Sequence, residues 1–240
     1  MSEPMTKAKH ILRDKLARQI VEGTLKPNDI LPNELTLVRE YGLSRTTIRD
    51  VLRSLEEKGL LERKTYVGTR VRSIHSWNLL DDEVLNWSCG VMSQRRFFSS
   101  LMELRMIIEP QAAALAAIRA NDADLQAIQE AFTWMNIDNQ RIDPEGDVAF
   151  HQGIIKASGN MFVAQFGGAI RAALYHTIYL SGKEAIDQAG SIESHRQVLN
   201  SIENRDALSA YSIMIRILKM TVSDLGLPLS EIITADTSSG

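Results

Sequence analysis

The sequence predicts a mainly α-helical protein, in which a small domain of three helices and a β-hairpin precedes a larger all-helical domain. Two observations support this fold class. Apolar residues recur at helical spacing through most of the 240 residues. By contrast, residues 61–71 resemble two short strands joined by a turn at a glycine. A chain of this length ordinarily forms one or two domains, so we expect parts of about 75 and 150 residues.

Composition limits the class of protein. Hydrophobic residues make up 44% of the chain and charged residues 24%, which is typical of a soluble globular protein. No run of about 18 apolar residues is present, so no membrane span is expected. The first residues are polar and lack the apolar segment of a signal peptide. Cys89 is the single cysteine, which fits a reducing compartment, and we therefore expect a cytoplasmic protein.

Charge is divided unevenly along the chain. Residues 1–75 carry 15 Lys and Arg against 10 Asp and Glu, a net charge of +5. The remaining residues carry 12 against 20, a net charge of −8. A basic N-terminal part joined to an acidic C-terminal part favours a protein that binds a polyanion through its first domain.

Each element of the N-terminal domain has its own sequence signal. Residues 7–22 carry apolar side chains on one helical face, and Gly23 ends that helix. Asn33 is expected to cap a second helix, which Gly42 ends. Ser44 is expected to cap a third helix. The buried stripe of this third helix consists of Ile48, Val51, Leu52 and Leu55.

The opposite side of the third helix presents Arg45, Thr46 and Arg49. A helix fits the major groove of DNA, and its first turns reach the base edges. The planar fork of an arginine matches the two acceptors of guanine. The alternative is an ordinary solvated charged face, which is the role of most helix arginines. The preceding helix and the following hairpin favour the DNA-contacting interpretation.

The hairpin completes the N-terminal domain. Leu61 to Lys64 and Thr69 to Val71 are predicted strands, with a turn near Gly68. Lys64 and its basic neighbours can contact phosphates, which contributes affinity and register but little sequence choice. The order of helix, turn, helix and basic hairpin is that of a winged helix-turn-helix, which we assign to residues 1–75.

Residues 31–71 resemble the winged helix-turn-helix of the GntR regulators; they read LPNELTLVREYGLSRTTIRDVLRSLEEKGLLERKTYVGTRV. The resemblance implies that Arg45, Thr46 and Arg49 are DNA contacts. The glycine of the wing is kept at Gly68, which we include with Lys64 among the DNA-binding residues.

Two positions depart from the family pattern. Leu35 stands where the family usually has an arginine, so one DNA contact is expected to be missing. Tyr66 replaces the glycine at the tip of the wing, and entry of the wing into the minor groove is therefore expected to differ.

The C-terminal part begins at an apolar junction that contains Trp77 and Trp87, which we expect to pack between the domains. Residues 76–228 are assigned to the second domain, and residues 229–240 are expected to be a disordered tail. The chain has no phosphate-binding loop, cysteine cluster or nucleophile elbow, so we do not expect an enzyme. Helical patterns lie at about 94–119, 122–138, 145–158, 160–182, 185–203 and 205–224.

One group of residues in this domain has the chemistry of a metal site. Asp147 and His151 are separated by one helical turn and project from one face, and His195 lies on a later helix. One carboxylate and two imidazoles form a good ligand set for a divalent metal and leave positions open for water or a ligand. The alternative is a surface or capping pair, which is the commoner role of an Asp–His pair on a helix.

The C-terminal part resembles the FCD effector domain of the FadR branch of the GntR regulators. Many members bind a metal through an aspartate and three histidines, and Asp147, His151 and His195 match three of these positions. Ile217 stands where the fourth ligand is expected. The resemblance implies a divalent metal, zinc or nickel, held by an incomplete ligand set. The alternative is a metal-free pocket in which the same side chains hydrogen-bond an effector.

Other residues extend the expected effector site. Arg105 matches an arginine that faces the cavity in this branch, where it would clamp a carboxylate through two hydrogen bonds. The alternative is an exterior salt bridge. Arg171 and His176 lie one turn apart on a later helix and could line the same cavity.

The resemblance also suggests an effector and a function. Residues 76–87, SWNLLDDEVLNW, resemble a segment of family members that respond to sugar acids. We therefore expect a homodimeric transcriptional repressor that binds double-stranded operator DNA and responds to a small carboxylate. A second hypothesis is a metal-dependent hydrolase or lyase that uses Asp147, His151 and His195. A third is a DNA-binding protein without sequence preference or effector.

Overall fold

The computed structural model describes residues 3–89, 94–137, 141–180 and 188–226. It divides into two compact units, residues 1–94 and residues 95–240. Each unit has its own hydrophobic core, which contains apolar side chains from its own helices. No helix within these described ranges combines the length and the apolar character that crossing a membrane requires.

The first unit is a winged helix-turn-helix with one additional helix. Its helices are α1 (Glu3–Val21), α2 (Glu34–Tyr41), α3 (Arg45–Glu57), the short 3₁₀ turn Ile74–Ser76 and α4 (Asp82–Cys89). Strands β1 (Leu61–Lys64) and β2 (Gly68–Val71) form an antiparallel hairpin in which Leu61 is opposite Val71. The connector after α1 adds a bridge between Ile30 and Arg70, so the wing is anchored on its second edge.

Capping residues fix the ends of α2 and α3 as the sequence predicts. The side chain of Asn33 accepts a hydrogen bond from the backbone N–H of Thr36 at 3.0 Å. The Ser44 hydroxyl accepts from the N–H of Thr47 at 3.1 Å. Gly42 lies between the helices with a φ of 65°, which a glycine adopts without strain. This turn orients α3 relative to α2.

The boundary between the units lies near residue 94 rather than at the predicted 75/76 division. Val84 and Trp87 on α4 are buried in the core of the first unit, so the apolar junction does not belong to the second. Lys58 at the end of α3 adds ion pairs to Asp81 at 2.6 Å and to Glu83 at 2.9 Å. Helix α4 therefore packs as part of the N-terminal core.

The second unit is a helical bundle with a small hairpin. Its helices are α5 (Gln94–Arg119), α6 (Asp122–Met135), α7 (Pro144–Ala157), α8 (Met161–Ala164), α9 (Gly167–Leu180), α10 (Gln188–Glu203) and α11 (Ala207–Asp224). Strands β3 (Asn136–Ile137) and β4 (Arg141–Ile142) pair antiparallel between α6 and α7. Buried alanines along α5 allow the neighbouring helices to approach closely.

Two predicted helices differ from the structure. The helix predicted over 122–138 ends at Met135, where β3 begins. The helix predicted over 160–182 is divided into α8 and α9, because Asn160 caps a separate short helix and two glycines begin the next one. The predicted disordered tail, residues 229–240, lies outside the described residues.

Helix α7 packs against the end of α6 at Gly146. A Cβ atom added there would lie 2.3 Å from the backbone nitrogen of Met135, a separation that real side chains do not adopt. We expect Gly146→Ala to lower the free energy of unfolding by about 2–3 kcal/mol, because the two helices must separate. Urea denaturation measures the loss.

Gly167 provides a matched control for this prediction. A Cβ atom at Gly167 would have no neighbouring atom within 4 Å. Gly167→Ala is expected to be neutral or to stabilise the helix by up to about 1 kcal/mol. Equal losses in the two variants would contradict the close packing of α6 on α7.

Candidate functional sites

The exposed face of α3 carries the predicted DNA contacts. Its opposite face, which includes Ile48 and Leu52, is buried in the N-terminal core. Arg45, Thr46 and Arg49 are exposed at the first turns of the helix. Ser44 provides the cap that begins α3 at this point, so both arginines lie on the part of the helix that is nearest its N-terminus.

Glu34 joins the two arginines and was not identified from the sequence. It is the first residue of α2, and one oxygen of its carboxylate, Oε2, accepts from Arg45 Nε at 3.2 Å and from Arg49 Nε at 2.8 Å. Burial opposes ionisation of this carboxyl group, but the hydrogen bonds and charges of the two arginines outweigh it and lower the pKa of Glu34. The packing of α2 on α3 creates the pair, so sequence spacing alone does not reveal it.

The wing carries the remaining predicted contacts. Lys64 is exposed at the end of β1, and Gly68 begins β2 with a φ of 107°. Tyr66 lies between them, fully exposed and with a φ of 66°, a conformation that costs a non-glycine residue energy. Leu35 is exposed on α2, and the expected loss of one DNA contact at that position stays a prediction.

The second unit brings the predicted metal ligands together. Asp147 and His151 lie one turn apart on α7, and His195 lies on α10. Asp147 Oδ1 is 3.6 Å from His151 Nε2 and 3.3 Å from His195 Nε2. The two Nε2 atoms are 3.3 Å apart. All three side chains are buried, so the alternative of a surface pair is wrong.

The hydrogen-bond partners of the two Nδ1 atoms determine whether the Nε2 atoms of His151 and His195 present a lone pair or a proton. His195 Nδ1 is 2.7 Å from the backbone carbonyl oxygen of Ser191, and His151 Nδ1 contacts the carboxylate of Glu109. Both partners only accept, so each neutral ring carries its proton on Nδ1. Both Nε2 atoms and Asp147 Oδ1 then direct lone pairs at one another. Three lone pairs that face one another repel unless a cation or an additional proton lies between them. Two imidazole nitrogens and one carboxylate oxygen are a suitable ligand set for a divalent metal.

Glu109 is the residue of this site that the sequence analysis missed. Its carboxylate lies between His151 and Arg105, whose Nε donates to Glu109 Oε1 at 2.5 Å. Burial opposes ionisation, but the charge of Arg105 and, when its ring carries an additional proton, that of His151 outweigh it and hold the pKa of Glu109 at about 2. An Arg–Glu pair one turn apart in the otherwise apolar stretch 104–110 was the signal that could have identified it.

Asp147 has a similar electrostatic environment. Burial again opposes ionisation, but the charge of Arg105, together with the hydrogen bond from His195 and the charges of both rings when they carry an additional proton, holds the pKa of Asp147 at about 2. Arg105 is buried within this network, so its interpretation as an exterior salt bridge is wrong. Its charge acts on both carboxylates of the cluster.

The other predicted site residues contribute less to the described geometry. Ile217 is buried in the apolar core and provides no ligand atom, as its residue type requires. Arg171 is half-buried on α9, one turn before Tyr175. The side chain of His176 lies outside the described part of the structure, so its predicted role stays a prediction.

Together, these features define the class of protein: a DNA-binding transcriptional regulator with a separate helical domain. The bacterial regulatory proteins of the gntR family match residues 9–71, and the FCD domain matches residues 100–220. The chain therefore belongs to the GntR family and carries an FCD domain. Its family and relatives are transcriptional regulators rather than enzymes, which confirms the prediction that it is not an enzyme.

Relatives extend over most of the chain. The galactonate operon transcriptional repressor of Escherichia coli is 32% identical over 200 residues, which cover 81% of this chain and 86% of the relative. The transcriptional regulator YieP of the same organism is 29% identical over 217 residues, or 84% and 88% of the two chains. A solved structure of Lar, which controls the Listeria monocytogenes agr system, matches with a TM-score of 0.62 and 20% identity over 92% of this chain and 97% of that one. This last match supports the fold alone.

Proposed function

We propose that the protein is a homodimeric repressor that releases its operator when a small hydroxy acid of the sugar-acid class binds in the helical unit. The similarity to the galactonate operon repressor supports both the direction of regulation and the effector class. Operator DNA lies in the cytoplasm, and we place the protein there.

The single observation that carries the ligand-binding part of this proposal is the convergence of three acceptor atoms in the second unit. Asp147, His151 and His195 would hold a divalent metal, for which their oxygen and nitrogen donors favour zinc or nickel. When bound, the metal supplies positive charge and open coordination positions. Glu109 and the carbonyl of Ser191 keep both imidazoles in the ligating tautomer.

The formal charges of this cluster favour a carboxylate as the ligand. Arg105 contributes +1, whereas Glu109 and Asp147 contribute −1 each, so the residues alone carry −1 with neutral histidines. A divalent cation changes this sum to +1, which one carboxylate neutralises. A carboxylate brought to the cluster without metal would meet net negative charge. The proposal therefore makes effector binding dependent on the metal.

The homodimer follows from the needs of DNA recognition. One recognition helix contacts too few base pairs for useful specificity, so two copies on a pseudo-palindrome are expected, with Arg45, Thr46, Arg49, Lys64 and Gly68 of each near the DNA. Helix α5 exposes Ile107 at 55% and Ile118 at 64% of their surfaces. Most alanines of α5 are buried, whereas these two isoleucines are exposed. Exposed apolar side chains support this face of α5 as the contact between copies.

A thermal-shift experiment on the full chain tests the effector site. Protein stripped with EDTA is compared with protein reloaded with Zn²⁺ or Ni²⁺, each with and without millimolar galactonate. We expect the metal to raise Tm, and galactonate to raise it further only after reloading. A ligand at 100 times its Kd adds about 2.7 kcal/mol of stability, which is readily measured. Galactitol, which lacks the carboxylate, is the matched control.

The His195→Ala variant separates the possible outcomes. It should lose both the metal shift and the galactonate shift, because a ligand of the cluster is removed. Equal galactonate shifts in stripped and reloaded protein would instead support the metal-free pocket. No shift with any of several sugar acids, together with operator binding that none of them weakens, would contradict the proposed effector class.

A further inference from the structure

The carboxylate of Glu34 forms ion pairs with two exposed arginines, although Glu34 itself is much less exposed than they are. The side chains of Arg45 and Arg49 are 59% and 55% exposed, whereas that of Glu34 is 19% exposed. One carboxylate thus lies beneath two guanidinium groups that are one helical turn apart. A third guanidinium, that of Arg63 on β1, lies 3.8 Å from the other oxygen of Glu34. Helix α2, helix α3 and the wing meet at this one carboxylate.

The atoms used in these contacts determine what the arginines can still bind. Both arginines use Nε toward Glu34, and among the described residues their terminal Nη atoms have no hydrogen-bond partner. The pair of Nη donors is an edge that can match the two acceptors of guanine in the major groove. Glu34 therefore engages the side of each guanidinium that is not needed for this recognition.

We propose that Glu34 is a positioning residue that sets how well the protein discriminates between operator and other DNA. This inference rests on the proposed DNA-binding function of α3. The carboxylate fixes Arg45 and Arg49 before DNA arrives, so fewer side-chain rotamers are lost when they meet the bases. Its negative charge also partly neutralises the two guanidinium groups and so weakens their contacts to phosphates. Such contacts carry no sequence information.

A role confined to helix stability is the competing explanation. Glu34 is the first residue of α2, where a negative charge interacts favourably with the helix dipole. That role requires no contact with α3. It predicts that loss of the charge lowers Tm and weakens binding to all DNA by one factor. The two explanations therefore differ in the direction in which non-specific affinity changes.

The test measures full-chain binding to two duplexes at several salt concentrations. The first duplex is selected from a random library by the wild-type protein, and the second is its scrambled sequence. We expect Glu34→Gln to bind the scrambled duplex about threefold more tightly, with a salt slope steeper by about 1, because two guanidinium groups are released to contact phosphates. Binding to the selected duplex should weaken, so that the affinity ratio falls about tenfold.

Two further variants separate position from charge. Glu40→Gln removes the same charge from an exposed residue of α2, so it should shift both affinities together and keep the ratio. Glu34→Asp keeps the charge but shortens the side chain by one methylene, so the carboxylate no longer reaches both arginines. The ratio of the affinities for the selected and the scrambled duplex should then fall without a change in net charge.

The possible failures are distinguishable. If Glu34→Gln changes both affinities by the same factor as Glu40→Gln, the positioning role is wrong. If Tm falls while both affinities weaken equally, the helix-stability explanation replaces it. If the wild-type protein itself shows no preference for the selected duplex, the proposed operator-binding function fails before Glu34 is considered.

Discussion

Replacement of Glu109 by glutamine is expected to lower the free energy of unfolding by about 3–5 kcal/mol at neutral pH. The carboxylate lies between Arg105 and His151, with both Glu109 and Arg105 essentially excluded from solvent. Glutamine has nearly the same shape but no charge, so Arg105 would remain buried without its ionic partner. The amide group would also present a donor where the carboxylate accepts. Urea denaturation of metal-free and metal-loaded protein measures the change.

The same substitution should weaken the proposed metal binding about 10- to 100-fold, because Glu109 orients the imidazole of His151 that would hold the metal. Glu103→Gln is the matched control: it removes the same charge from the same helix at a half-buried position outside the cluster. Its effect on unfolding should remain within about 0.5 kcal/mol. A loss below about 1 kcal/mol for Glu109→Gln would show that Arg105 does not depend on this carboxylate.

Replacement of Arg49 by alanine is expected to weaken binding to the selected duplex about 10- to 100-fold and to reduce discrimination against the scrambled duplex. Arg49 lies one turn inside α3 on the exposed face and is held by Glu34 through Nε. Loss of the side chain removes both the donor pair that we propose for a base edge and a positive charge. Fluorescence anisotropy with both duplexes at fixed salt separates these two contributions.

Arg53→Ala is the control for lost charge, since Arg53 lies one turn further along the same helix and pairs with Glu57 at 2.9 Å. It should weaken binding to both duplexes similarly, as expected of a phosphate contact or a distant charge. If Arg49→Ala and Arg53→Ala reduce binding to the two duplexes in the same proportions, Arg49 does not read the operator sequence.

Local signals accounted for much of the fold. Ser44 and Asn33 were predicted to cap α3 and α2, and both accept the backbone hydrogen bonds expected of caps. The apolar stripe of α3 is buried as predicted. These features depend on residues that are near one another in sequence, so pattern and residue type were sufficient.

Tertiary packing explains where the sequence predictions were incomplete. Trp87 was predicted to pack between the domains, but an apolar pattern does not specify which core receives a side chain, and the structure places Trp87 in the N-terminal core. His195 was grouped with Asp147 and His151 by residue type, and the packing of α10 against the core brings them together. Glu109 joins this cluster from α5. Its part could be identified only after the helices were packed.

The burial of α4 in the N-terminal core has a consequence for the design of chimeric regulators. A cut after residue 75 would separate Val84 and Trp87 from the N-terminal core in which they are buried. The N-terminal fragment would lose part of its core, and the C-terminal fragment would carry an apolar helix without its packing partner. The compact unit that keeps this core together is residues 1–94. Grafts joined at that position keep the tryptophan with the helices that it stabilises.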